Sequence, residues 1–188
     1  MAHRVCPWWL GYWLASPMRR WSQDPAQILL PWVREGMTIL EPGPGMGFFT
    51  LELARRVGPS GRVIAVDIQS RMLDSLRRRA AKAGLLDRIE TRLTSAGSMN
   101  VANLRGRVDF TLLYAMVHEV PDVAHFFSEV AAVSKPGATV LLAEPTGHVK
   151  QPDFDAELQA AAAAGLAIAT RPAIPRSFGA LLHRTAVS

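Results

Sequence analysis

EPGPGMGFF, residues 41–49, follows the apolar run Met37-Thr38-Ile39-Leu40 and precedes a stretch with helical spacing. Three glycines, Gly43, Gly45 and Gly47, alternate within it. A glycine loop between a strand and a helix is where ligands sit in parallel sheets, because the loop lies at the carboxyl edge and the helix N-terminus presents free N–H groups. Two phosphate fingerprints share that setting, and neither fits. G-x-G-x-x-G requires glycine at position 48, where the chain has Phe48, and G-x-x-x-x-G-K-[ST] requires a lysine that does not follow. Glu41 adds a charge argument: a carboxylate directly before the glycines repels a pyrophosphate and favours an ammonium group. Asp67 stands twenty residues after Gly47, at the end of a second apolar run, where an acidic side chain takes the two hydroxyls of a ribose. An adenosine-like ligand with a cationic tail suits both ends.

Outward from this loop the chain alternates short β-rich runs with amphipathic ones. MTILE (37–41), RVIAVD (62–67), RIETRL (88–93), VDFTLLY (108–114) and TVLLAE (139–144) read as strands. Several are apolar on both faces, as buried parallel strands require. Ser70 is the expected cap of a helix whose Met72, Leu73, Leu76, Ala80 and Ala83 recur at three- and four-residue spacings, with Arg77, Arg78 and Arg79 turned mostly to water. Val123, Phe126, Phe127, Val130 and Val133 form a second stripe, ended by Lys135-Pro136-Gly137. A third helix is read in DFDAELQAAAAAG, ending near Gly165, before the strands LAIAT and SFGALLHRT. With no helix between them, that last pair is expected to be antiparallel and to close one end of the sheet. The pattern predicts an α/β fold, a doubly wound, mostly parallel seven-stranded sheet with a C-terminal antiparallel pair. Residues 1–36, with Pro7, Pro17, Pro25 and Pro31, fall outside the repeat and read as an N-terminal helical lid or cap on a domain of residues 37–188.

Composition narrows the function classes. With 49% hydrophobic and 20% charged residues, the 188-residue chain has the make-up of one globular domain. The net charge of +5 is scattered, which argues against a nucleic-acid partner. Cys6 is the lone cysteine, so neither a disulfide framework nor a cysteine zinc cluster is available. His3-Arg4 and the apolar residues after it have the outline of a signal peptide, but Pro7 and Gly11 interrupt the run and no A-x-A-like site follows. The expected location is cytoplasmic. Trp8, Trp9, Tyr12 and Trp13 read as an apolar lid or as sheet packing, with a membrane-surface contact through residues 8–20 as the less common outcome.

The ordered set E-x-G-x-G-x-G at 41–47, VIAVD at 63–67, the polar turn Thr94-Ser95-Ala96 and KPGATVLLAEP at 135–145 resembles class I S-adenosylmethionine-dependent methyltransferases. The resemblance covers residues 37–185, and the opening RVCPWWLGYWLASPMRR resembles a group of small, poorly characterised members. It implies that Glu41 and the loop Gly43, Gly45 and Gly47 hold the methionine end of the cofactor. Asp67 then binds the ribose, Ile68 lies against the adenine, and Ser95 and Ala96 form the turn at the adenine edge. Family members often carry Asp where this chain has Ser95, so a backbone contact is the safer expectation there. Tyr114 and Ala115 are expected near the methyl group.

Methyl transfer from a sulfonium needs alignment and exclusion of water more than it needs a base. If a base is used, His118 in YAMVHEVPD is the candidate, with a helix-start or core histidine as the plainer alternative. Glu119 reads as a turn or solvent carboxylate. Glu144 either orients a substrate or anchors a turn, and His148 faces the same edge. His118, Glu119, Glu144 and His148 lack any metal-ligand spacing, so no metal is expected. Arsenic methyltransferases use several cysteines, which disfavours that acceptor here. The expected activity is transfer to a small-molecule acceptor. The alternatives are a nicotinamide-dependent oxidoreductase and a non-catalytic S-adenosylmethionine-binding protein.

Overall fold

A computed structural model describes residues 23–185. Cys6, the tryptophan cluster and the suggested membrane-contacting segment lie outside the described residues. Within them, α1 (Pro25–Leu29) precedes β1 (Thr38–Pro42), α2 (Thr50–Val57), β2 (Arg62–Asp67), α3 (Ser70–Lys82) and β3 (Ile89–Leu93). β4 (Val108–Tyr114), α4 (Val123–Val133), β5 (Ser134–Pro145), α5 (Gln151–Ala163), β6 (Leu166–Thr170) and β7 (Ser177–Arg184) complete the chain order.

The seven strands form one sheet in the order β3-β2-β1-β4-β5-β7-β6. The first five run parallel, and β7 is antiparallel to both β5 and β6. The α/β expectation therefore holds, with β7 threaded between β5 and β6. Alternation along the central strands feeds both faces. Ile39 of β1 joins the cluster under α1, α2 and α3 with Leu29, Leu53, Val57, Leu73 and Leu76. Its neighbour Leu40 joins the opposite cluster with Phe126, Phe127, Val130, Phe154 and Leu158 of α4 and α5. A period-two strand thus binds two helical layers with successive residues.

Three local expectations change. Ser70 is the first residue of α3; Gln69 occupies the cap position and makes no side-chain cap bond. Arg79 does not turn to water but reaches back to the Met46 carbonyl at 2.5 Å, tying α3 to the glycine loop. Lys135-Pro136-Gly137 does end α4, yet pairing with β4 already begins at Ser134 and resumes at Thr139, so the residues between form an irregularity inside β5. The strand order reverses at β1, with β2 and β3 on one side and β4 on the other. The carboxyl ends of β1 and β4 therefore flank a switch-point cleft, where α/β sheets hold ligands.

Candidate active site

That cleft holds a cavity of about 370 Å³, walled by the glycine loop, the ends of β2, β3 and β4, and the start of α4. Glu41, Gly43, Gly45, Asp67, Ile68, Ser95, Ala96 and Tyr114 all line it. Gly47 and His118 do not reach the wall. Gly47 has a different constraint: its φ is +85°, and a Cβ there would stand 2.4 Å from Cδ1 of Leu76 on α3. The positive φ is what calls for glycine, since the Leu76 methyl is the far end of a side chain that can shift. A Cβ on Gly45 would meet nothing within 4 Å, so at that point the loop backbone borders open cavity.

Two carboxyl groups face this space from adjacent parallel strands. Glu41 is only 4% exposed, and its Oε2 has no hydrogen-bond partner among the described residues. Burial pushes its carboxyl up to about 8, opposed by the Thr50 hydroxyl beside it and reinforced by the nearby charge of Asp67. Burial likewise raises Asp67 to about 6, although the backbone N–H groups of Gln69, Gly45 and Ile68 hold it down in part. The Gln69 N–H donates to Asp67 Oδ1 at 2.8 Å. Among the described residues neither group is paired with a cation, and an arriving positive charge would stabilise their ionised forms.

Across the cavity, the loop after β3 is shaped from α4. Ser98 Oγ donates to Glu129 Oε1 at 2.7 Å, and the Met99 N–H donates to Glu129 Oε2 at 2.9 Å. The Thr94 hydroxyl donates to the Ser98 carbonyl within the same loop. Ser95 and Ala96 are thereby presented on the wall beside the exposed face of Ile68. Sequence reasoning missed Glu129, together with Asp122 and His125, which also line the cavity. The available signal was their place on the polar side of the α4 stripe: a helix starting at the carboxyl edge of a strand turns its first residues toward the cleft.

Tyr114 packs on Phe49, with ring centroids 4.3 Å apart. Beyond it the chain turns sharply. Ala115 has φ +56°, and its N–H donates to the Ala143 carbonyl at 2.8 Å. Met116 follows on the cavity wall and packs on the glycine loop, where a Cβ on Gly43 would stand 3.1 Å from its Cβ. His118 points away, with Nδ1 2.5 Å from Glu144 Oε2. Glu144 is fully buried and also accepts the N–H groups of Met116 and Val117 at Oε1, at 3.2 and 2.8 Å. It anchors the turn after β4, not the turn that follows it in sequence. The His148 ring lies parallel to His118 at 6.4 Å. No group of three or more metal-ligating side chains occurs among the described residues.

Residues 39–137 match the family model described as a methyltransferase domain. The chain belongs to that family. The match runs from β1 to the first residues of β5 and so takes in every strand end that walls the cavity. Among curated relatives, this methyltransferase domain is 30% identical over 118 residues to an arsenite methyltransferase of Halobacterium salinarum, covering 63% of the chain and 29% of that protein. It is 30% identical over 121 residues to a demethylmenaquinone methyltransferase of Lactococcus lactis, covering 63% of the chain and 46% of that protein. The chain thus spans about half or less of the length of these relatives. A solved S-adenosylmethionine-dependent methyltransferase of Aquifex aeolicus has the same fold, with a TM-score of 0.85 and 23% identity over 96% of this chain and 100% of that one.

Proposed function

We propose that the protein transfers a methyl group from S-adenosylmethionine to a small-molecule acceptor by in-line displacement. The observation that carries this reading is the pair of poorly solvated carboxyl groups, Glu41 and Asp67, lining one cavity on either side of a glycine loop in a methyltransferase domain. The residues present fit the cofactor. The unpartnered Oε2 of Glu41 suits an ammonium, Asp67 suits a ribose diol, and Gly45 leaves room for the chain between them. Ile68, 39% exposed at the cavity, and Met99 give an apolar bed for adenine, with Ser95 and Ala96 at its edge. Bound there, S-adenosylmethionine supplies a methyl group already made electrophilic by its sulfonium.

The protein's share of the chemistry is then binding, orientation and exclusion of water. Glu41 and Asp67 are poorly solvated acidic groups, and an arriving cation favours their ionised forms and is attracted by them more strongly than in water. Tyr114, Ala115 and Met116 form the wall on the methyl side. His118 lies off the cavity wall with Nδ1 bonded to Glu144, so no proton transfer is assigned to it. The relatives' names, an arsenite methyltransferase and a demethylmenaquinone methyltransferase, support a small acceptor. The single cysteine favours an organic one. Among the described residues no helix is long and apolar enough to cross a membrane, and we assign the protein to the cytoplasm without a nucleic-acid partner. Incubation with S-adenosylmethionine and a panel of quinones, phenols and amines tests the reading. S-adenosylhomocysteine should accumulate only with an accepted substrate; binding of the cofactor without turnover across the panel would favour a non-catalytic role.

A further inference from the structure

A fully buried, fully bonded carboxylate lies outside the cavity. Glu144 ends β5, has no exposed surface, and fills both oxygens: Oε1 with the N–H groups of Met116 and Val117, Oε2 with His118 Nδ1. These bonds converge on a turn that keeps its own backbone bonds, Glu119 N–H to the Met116 carbonyl at 3.1 Å and Val120 N–H to the Val117 carbonyl at 2.9 Å, but is entered through a strained residue. Ala115 sits in the left-handed region at φ +56°, a conformation that a residue with a Cβ rarely adopts. The next residue, Met116, is the one that packs on Gly43 of the glycine loop. The chain of contact therefore runs from Glu144 through the backbone of Met116 and Val117 to the cavity wall.

The charges around the turn agree with this arrangement. His118 is raised above the ordinary histidine range, first by its hydrogen bond to Glu144, against the opposing effect of burial, and also by the charges of Glu144, Glu119 and Glu157. Glu119 Oε1 stands 4.0 Å from His118 Nε2 on the same turn. Glu157 faces the pair from α5, and His148 stacks on the imidazole from the loop after β5. Glu157 is itself buried, with Oε2 unpartnered, and burial pushes it up to about 8. At neutral pH it is largely protonated, so the acidic groups nearest the imidazole that act on it as charges are Glu144 and Glu119.

We propose that Glu144 is a positioning residue of the methyltransferase site: it holds the strained 115–118 turn against the glycine loop, and His118 serves that bond instead of the acceptor. The inference rests on the cavity being the cofactor seat, and its test separates the two. Calorimetry with S-adenosylhomocysteine on wild type, Glu144→Gln, His118→Gln and Glu157→Gln reads the effect on the seat. Proton NMR of the His118 imidazole in the ligand-free proteins reads the pair itself. Failure of the wild type to bind would reject the cofactor reading and leave the NMR test standing.

In Glu144→Gln, binding should weaken about tenfold as the turn loosens, while the protein keeps a cooperative melt. His118 should then titrate at lower pH than in the wild type, an effect that a general packing defect would not produce. Glu157→Gln, which removes a group that bonds neither the turn nor Glu144, should bind as the wild type does. If Glu144→Gln does not fold, His118→Gln carries the binding test, with weakening of about threefold expected for the loss of one bond of three. Wild-type affinity in a folded Glu144→Gln, or in His118→Gln where the first does not fold, would overturn the proposal. So would an unmoved His118 titration in Glu144→Gln, or a loss in Glu157→Gln as large as that in Glu144→Gln.

Discussion

Two buried acidic groups stand at the carboxyl edge of the same sheet and are treated in opposite ways. Glu144, at the end of β5, has two backbone N–H groups and an imidazole filling its oxygens. Glu41, in β1, has an oxygen without a partner, and burial raises its carboxyl to about 8. A buried carboxylate that is fully bonded behaves as part of the framework, whereas one left unpaired is a cost to the free protein that a ligand can remove. The contrast separates the wall of the site from its seat.

The largest effect should come from removing the framework side. Glu144→Ala leaves His118 and two N–H groups unpaired in the interior, so denaturant unfolding should register a loss of about 3–5 kcal/mol. A loss below about 1 kcal/mol would mean that the bonds to Glu144 are replaceable and that the contrast with Glu41 is only geometric.

The seat should behave in the opposite sense. The folded pKa of Glu41, about 8, lies above its ordinary value of 4.5, so the free protein holds this proton more tightly than the unfolded chain does. The stability so gained is full below the ordinary value and is lost as pH rises through about 8. Glu41→Gln removes that loss: ligand-free melts should find it more stable than the wild type at pH 8, while cofactor affinity falls. A variant less stable than the wild type at pH 8 would place Glu41 with Glu144 as a structural carboxylate. Smaller again is Asp67→Ala, which should weaken S-adenosylhomocysteine binding by about 1–3 kcal/mol in calorimetry. Unchanged affinity would remove Asp67 from the ribose position.

Much of this was legible in the chain. RVIAVD and VDFTLLY fall on β2 and β4 residue for residue, because runs apolar on both faces have few other places to go in an α/β chain. Glu41, the glycine loop and Asp67 meet in one cavity because sequence-local signals, a strand end and the turn after it, fix them. Contacts between distant segments were not legible. Glu129 shapes the post-β3 loop from thirty residues away, and Glu144 reaches back across β5 to a turn closed by Ala115. Neither bond follows from spacing, since each depends on which strands become neighbours. Gly47 could be read as a ligand glycine because a φ of +85° is needed whether its neighbour is a cofactor or, as here, the Leu76 side chain.

The most direct test of the central claim is a paired calorimetric titration of the ligand-free protein with S-adenosylhomocysteine and with NAD. A seat built from Glu41, an open glycine loop and Asp67 should bind S-adenosylhomocysteine at a single site and give no binding heat with NAD, whose pyrophosphate would oppose ionisation of both acidic groups. Saturable binding of NAD with none of S-adenosylhomocysteine would contradict the account.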